Sequence, residues 1–180
     1  MNHRFVLTGG PGAGKTTLLN ALGERGYPFV PESARRIIKE RLAAGLSPRP
    51  GPVAFAQQIL SADIDKYRDA NACDVMFFDR GVLDALYMLE AENALTHSET
   101  AEYVQAFPYN DVVFLLPPWE AIYGKDSERD QTFDEAIEVF KGMKSWYQQW
   151  GYETLEVPHG SAEERVAFML RMVEKAVANR

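Results

Sequence analysis

Apolar residues along this chain gather in short unbroken runs separated by longer stretches with helical spacing. Phe5-Val6-Leu7 within residues 4–8, Val75-Met76-Phe77-Phe78 within 74–79 and the run ending at Leu116 within 111–116 show no polar alternation. That is the pattern of strands covered on both faces. Shorter strands are predicted over 27–31 and 154–157. Helices are predicted over 16–25, ended by Gly26, over 32–44, closed by Gly45, and over 53–72, 82–93, 98–106 and 134–150. Between the second and third of these, 46–52 carries three prolines and a glycine and reads as loop. Ser161-Ala162-Glu163-Glu164 has the form of a capping box opening a last helix. Strands and helices alternate throughout, without internal repeat or linker-like tract. The alternation predicts an α/β fold, a parallel sheet covered on both faces, in a single domain over 1–180.

In an open parallel sheet the ligand lies beyond the carboxyl ends of the strands, so the residues just after each strand carry the chemistry. After the first comes Gly9-Gly10-Pro11-Gly12-Ala13-Gly14-Lys15-Thr16, a match to G-x-x-x-x-G-K-[ST] in its required setting between strand and helix. Glycines allow a backbone whose N–H groups converge on phosphate oxygens, Lys15 reaches the β- and γ-phosphates, and the Thr16 hydroxyl ligates Mg²⁺. The helix N-terminus adds partial positive charge to the same anion. Gly10, Pro11, Gly12, Ala13, Gly14, Lys15, Thr16 and Thr17 are the expected nucleotide-binding residues, with a nucleoside triphosphate and Mg²⁺ as cofactors.

Asp79 ends the third strand, the place from which a carboxylate is aimed at Mg²⁺ or its water shell; capping the helix that starts at Val82 is the other reading. Arg80 follows, suited to charge developing on a phosphoryl group or to a surface ion pair. Glu32 follows the second strand and is a candidate base for a substrate hydroxyl, against a glutamate merely favoured in a first helical turn. Arg35 and Arg36 project about 100° apart, so at most one of them faces a site. Arg36 is the substrate-binding candidate and shares a face with Lys39 and Glu40. The polar segment of about 119–133 reads as a lid or a solvated loop, with Arg129 the candidate for neutralising phosphate charge and Lys125 a weaker one.

Composition narrows the partners. A net charge of -7 over 180 residues disfavours a general nucleic-acid binder. The single cysteine, Cys73, forms no intrachain disulfide and reads as core filler, which fits a cytoplasmic setting. No apolar window approaches a membrane span and no leader precedes the first strand, so a soluble chain is expected. His3, His97 and His159 are scattered and read as structural or solvent-facing. Trp146, Tyr147, Trp150 and Tyr152, with Phe133 and Phe140, read as packing for the long helix.

The succession of Walker-type loop, glutamate after strand two, Asp-Arg after strand three and charged segment after strand four resembles the nucleoside and nucleotide kinase group of P-loop proteins. Within it, the run from Arg4 to Thr17, Pro31-Glu32-Ser33-Ala34-Arg35-Arg36, Phe77-Phe78-Asp79-Arg80-Gly81, Pro117-Pro118-Trp119 and Glu128-Arg129 are similar to small bacterial AAA-type ATPases grouped with the ribosylnicotinamide kinase domain. The resemblance implies a three-layer α/β/α fold with a five-stranded parallel sheet ordered 2-3-1-4-5 and Mg-ATP in the loop. It also implies Glu32 as base and Asp79-Arg80 in the place of an acidic-Arg-Ser motif, although Gly81 stands where the serine would be. The expected activity is Mg²⁺-dependent transfer of the γ-phosphoryl group of ATP to a small acceptor such as a nucleoside or nucleotide. Lys15, Glu32, Asp79, Arg80 and Arg129 are then catalytic, Thr16 and Asp79 hold the metal, and Glu32, Arg36 and Arg80 bind the acceptor. A nucleotide-dependent switch with slow hydrolysis is the alternative.

Overall fold

The computed structural model describes residues 2–10, 12–70, 74–123 and 132–178. Its elements in chain order are β1 (Arg4–Gly9), α1 (Lys15–Glu24), β2 (Phe29–Val30), α2 (Ser33–Ala43), α3 (Pro52–Asp69), β3 (Met76–Asp79) and α4 (Val82–Ala91). They continue with α5 (His97–Ala106), β4 (Val112–Leu116), α6 (Glu120–Tyr123), α7 (Phe133–Gln149), β5 (Glu153–Glu156) and α8 (Ala162–Ala178). The five strands form one parallel sheet ordered β2-β3-β1-β4-β5, the order the resemblance implied. Register is fixed by Phe5 beside Phe77, Leu7 beside Asp79 and Phe114, and Gly9 beside Leu116.

Most predicted elements lie within a few residues of their expected bounds. β2 is only two residues long because Pro28 and Pro31 have no N–H to give a ladder; Pro28 contributes its carbonyl instead, accepting from the Phe77 N–H at 3.0 Å. A single turn, α6, stands inside the stretch read as a lid or loop, too short to show periodicity. The capping box is formed: Glu164 N–H donates to Ser161 Oγ at 3.2 Å and Ser161 N–H to Glu164 Oε2 at 2.9 Å.

The chain divides into two compact units, Met1–Phe29 with Ala72–Asp79 and Tyr109–Arg180, and Val30–Asn71 with Arg80–Pro108. In the first, alternate residues of the central strands sort to opposite faces. Phe5, Leu7, Phe77, Val112, Phe114 and Leu116 meet Leu18, Leu19 and Leu22 of α1 and Val166, Met169 and Val173 of α8. The rings of Phe5, Phe77 and Phe114 form a triangle, Phe5 lying 6.0 and 6.2 Å from the other two and those two 6.5 Å apart. Val6, Phe78, Val113 and Leu115 are equally buried on the other face, where Phe78 meets Tyr109 edge-on at 5.3 Å. Each such side chain, fully buried, stabilises the fold by about 1.5–3 kcal/mol, and the doubled layer explains why these strands lack alternation. Trp146 and Tyr147 of α7 are buried, as packing residues should be.

In the second unit α3 packs against α2 and α4, and α4 against α5. The buried stripe of α3 runs through Phe55, Ala56, Ile59, Leu60, Asp63 and Tyr67, a helical spacing with one carboxylate in it. The Tyr67 hydroxyl donates to the Pro108 carbonyl at 2.6 Å. Among the described residues no helix is long and apolar enough to cross a membrane. β3 delivers Asp79 at the edge of the first unit, and the next residue, Arg80, opens the second segment of the other.

Candidate nucleotide site

The phosphate loop leaves β1 through Gly9, whose φ of 137° is open to glycine. A Cβ at Gly9 would lie 2.5 Å from the Leu116 carbonyl oxygen, so β4 itself excludes a side chain there. Gly12 and Gly14 are left-handed at 73° and 86°, and Gly14 is the N-cap of α1. Alternation of this kind turns successive N–H groups toward one side and forms an anion nest, which the α1 N-terminus reinforces. Lys15 is buried and its ammonium donates to the carbonyls of Gly9 and Gly10 at 3.0 and 2.9 Å, closing the loop on itself. Thr16 and Thr17 are exposed on the first turn of α1. Asp79 stands in register with Leu7, two residues before the loop begins. Pro11 lies outside the described residues.

The second unit holds a separate constellation. Glu32 is the N-cap of α2, so the helix starts one residue later than predicted, yet its side chain makes no capping hydrogen bond. Glu32 Oε1 accepts from Arg80 Nε at 3.1 Å, and Oε2 lies 3.4 Å from Arg35 Nε. Arg80 also donates through Nη1 to Asp84 Oδ1 at 3.3 Å. Asp84 in turn accepts from the Gly81 N–H through Oδ2 at 2.9 Å, while its own N–H bonds the Gly81 carbonyl. Asp84 therefore closes the first turn of α4. Arg80 holds a φ of 66°, a left-handed conformation that costs a non-glycine residue roughly 1–2 kcal/mol. Clamping by two carboxylates offsets that strain and sets the direction of the guanidinium.

Behind Glu32, Ser33 Oγ donates to Asp63 Oδ1. Burial pushes the Asp63 carboxyl up to about 7; the Ser33 hydrogen bond and Lys66 act against this, whereas Asp84 and Glu32 add to it. Lys66 itself donates to the Pro31 carbonyl at 2.5 Å, so α3 holds the chain on both sides of Glu32.

Of the residues singled out in the sequence, Glu32 and Arg80 are brought together, Lys15 reaches back to the first two residues of the phosphate loop, and Asp79 lies beside Leu7 of β1. Arg36 is not part of the Glu32 cluster; it is exposed and pairs with Glu40 at 3.0 Å, on the face predicted for that pair. Arg129 and Lys125 lie outside the described residues, as does Cys73. Sequence reading passed over Asp63 and Asp84. The signal for Asp63 was a carboxylate three and four residues after Leu60 and Ile59 on an apolar helix face; for Asp84 it was an acidic residue at the third position of a helix.

A family model described as an AAA domain matches residues 4–165. No curated protein matches the chain. Among solved structures, a deoxyadenosine kinase from M. mycoides with the products dCMP and a flexible dCDP bound superposes with a TM-score of 0.66 at 15% identity, over 96% of this chain and 99% of that one. The same enzyme with bound dATP gives 0.56 at 12% identity, over 95% and 99%, and with bound dCTP 0.57 at 13%, over 96% and 99%. These are likenesses of fold, and the sheet order agrees with them. The chain belongs to the AAA_28 family of AAA domains.

Proposed function

We propose that this protein is a Mg²⁺-dependent phosphotransferase that moves the γ-phosphoryl group of ATP to a small hydroxyl or phosphate acceptor, a nucleoside or nucleotide. The observation that carries this reading is the state of Glu32. A glutamate at a helix start has an ordinary use in capping, and this one is not used so; both carboxylate oxygens face arginines instead. A carboxylate oriented by Arg80 suits the removal of a proton from an acceptor hydroxyl.

Lys15 and the loop N–H groups hold the triphosphate, and Arg80 and Arg129 stabilise charge in the transition state. Thr16 and Asp79 offer a hydroxyl and a carboxylate to the metal. Among the described residues no cluster of three or more His, Cys, Asp or Glu forms a metal cage. A hydroxyl and a carboxylate are hard oxygen donors that suit Mg²⁺, which keeps several waters and takes its other oxygens from phosphates. When bound, Mg-ATP supplies the electrophilic γ-phosphorus and its ADP leaving group. Glu32 takes the acceptor's hydroxyl proton as the new oxygen–phosphorus bond forms and the bond to ADP breaks. That proteins of this fold hold dATP, dCTP and dCMP supports a nucleoside or nucleotide as acceptor. A cytoplasmic setting belongs to the same proposal. Replacing Glu32 by Gln tests the role: transfer is abolished while ATP affinity stays within about twofold, and a large loss of ATP binding contradicts it.

A further inference from the structure

Arg165 sits in the first turn of α8 and is only 3% exposed. Its neighbours on the buried face of that helix, Val166, Met169 and Val173, are apolar. Among the described residues no carboxylate comes within ion-pair distance of it, and burial lowers its pKa from the ordinary arginine value. An arginine so placed is costly compared with an apolar residue of similar size, so what it touches matters. Nη2 donates to the Ala13 carbonyl at 3.1 Å, across 152 residues of sequence. The guanidinium carbon lies 5.7 Å from the centroid of the Trp119 ring, and Trp119 stacks on His159 at 5.0 Å with 7° between the planes. His159 precedes the capping box that starts α8, so α8 and the turn before it both contact Trp119.

Ala13 lies between the left-handed Gly12 and Gly14. Because a trans peptide is planar, its C=O and the following N–H point in opposite directions. A donor fixed on the Ala13 oxygen therefore fixes the Gly14 N–H, one of the loop donors, on the opposite side. It also polarises that peptide and makes the N–H a stronger donor. We infer that Arg165 is a positioning residue for the phosphate loop, which holds the Ala13–Gly14 peptide in its anion-binding orientation and is itself held by the Trp119–His159 stack. This rests on the reading of the loop as a triphosphate site and adds to it a residue outside the motif.

The test compares wild type, Arg165→Met, Arg165→Lys, Trp119→Leu and Lys15→Ala by calorimetric titration with Mg-ATP, by urea midpoint, and by the amide NMR resonance of Gly14 in the ligand-free protein. Arg165→Met is expected to weaken Mg-ATP binding at least tenfold and to shift the Gly14 amide resonance. Arg165→Lys recovers most of the affinity, since an ammonium can still donate to Ala13, and Trp119→Leu gives an intermediate loss. A purely structural Arg165 would lower the urea midpoint with Mg-ATP affinity within twofold of wild type, and that result overturns the inference. If wild type binds Mg-ATP no better than Lys15→Ala, the proposed function fails instead. The Gly14 resonance then decides the inference alone: a shift in Arg165→Met upholds it and an unchanged resonance overturns it. Should Arg165→Met fail to fold, Arg165→Lys and Trp119→Leu are judged by the same three readouts.

Discussion

Arg80 donates to the carboxylate of Glu32 at 3.1 Å from a backbone held in the left-handed region, so a strained residue and a candidate base orient one another. Strain of this kind persists only where the surroundings over-determine it. Here Asp84 supplies the second constraint at 3.3 Å.

Removing the arginine separates strain from charge. Arg80→Ala loses both ion pairs and keeps the unfavourable φ, and should destabilise the protein by about 1–3 kcal/mol. Arg80→Gly loses the same pairs but relieves the backbone, and should be the more stable of the two by up to ~1 kcal/mol. Urea denaturation of both variants checks the order. An alanine variant more stable than the glycine one would mean that φ is not strained in solution.

Gly9 is predicted to tolerate no side chain. Gly9→Ala must place a Cβ 2.5 Å from the Leu116 oxygen at a φ of 137°, both parts of rigid backbone. Overpacking and backbone strain together should cost about 2–4 kcal/mol, read as a lowered thermal midpoint, with weakened nucleotide binding in the protein that remains folded. A midpoint within a degree of wild type contradicts the packing described.

Asp63 gives stability a pH dependence. Its folded pKa, about 7, is above the ordinary 3.8, so between these values the native state binds the proton more tightly than the unfolded chain does. The favourable contribution is therefore full below pH 4 and is lost as pH rises through 7, by at most ~4 kcal/mol. Asp63→Asn, which can still accept from Ser33, should remove this term. The difference in stability between variant and wild type should then move in the variant's favour from pH 5 to pH 8. A constant difference across that range contradicts the burial of a titrating carboxyl at this position.

What could be read in the sequence follows from where the physics is local. The phosphate loop announces itself because its backbone demands glycines at Gly9, Gly12 and Gly14, and the doubly covered strands because their runs do not alternate. Glu32, Asp79 and Arg80 are singled out by the rule that chemistry follows strand ends, whereas the strand order comes from family resemblance. Asp63 escaped because a carboxylate on α3 looks like any helical charge until α2 packs over it. Arg165 escaped for a similar reason: it reads as a cation in a helix's first turn, and only the contact with Ala13 gives it a role. β2 was overextended because proline's missing N–H acts through the neighbouring strand.

The central claim, acceptor-dependent phosphoryl transfer, is tested most directly by ADP production from Mg-ATP. The purified protein is assayed alone and with pooled nucleosides, nucleoside monophosphates and nicotinamide riboside, with Lys15→Ala as the blank. Strong stimulation by one pool, abolished by Glu32→Gln, is the predicted result. A slow rate unchanged by every pool would contradict it and favour a nucleotide-dependent switch.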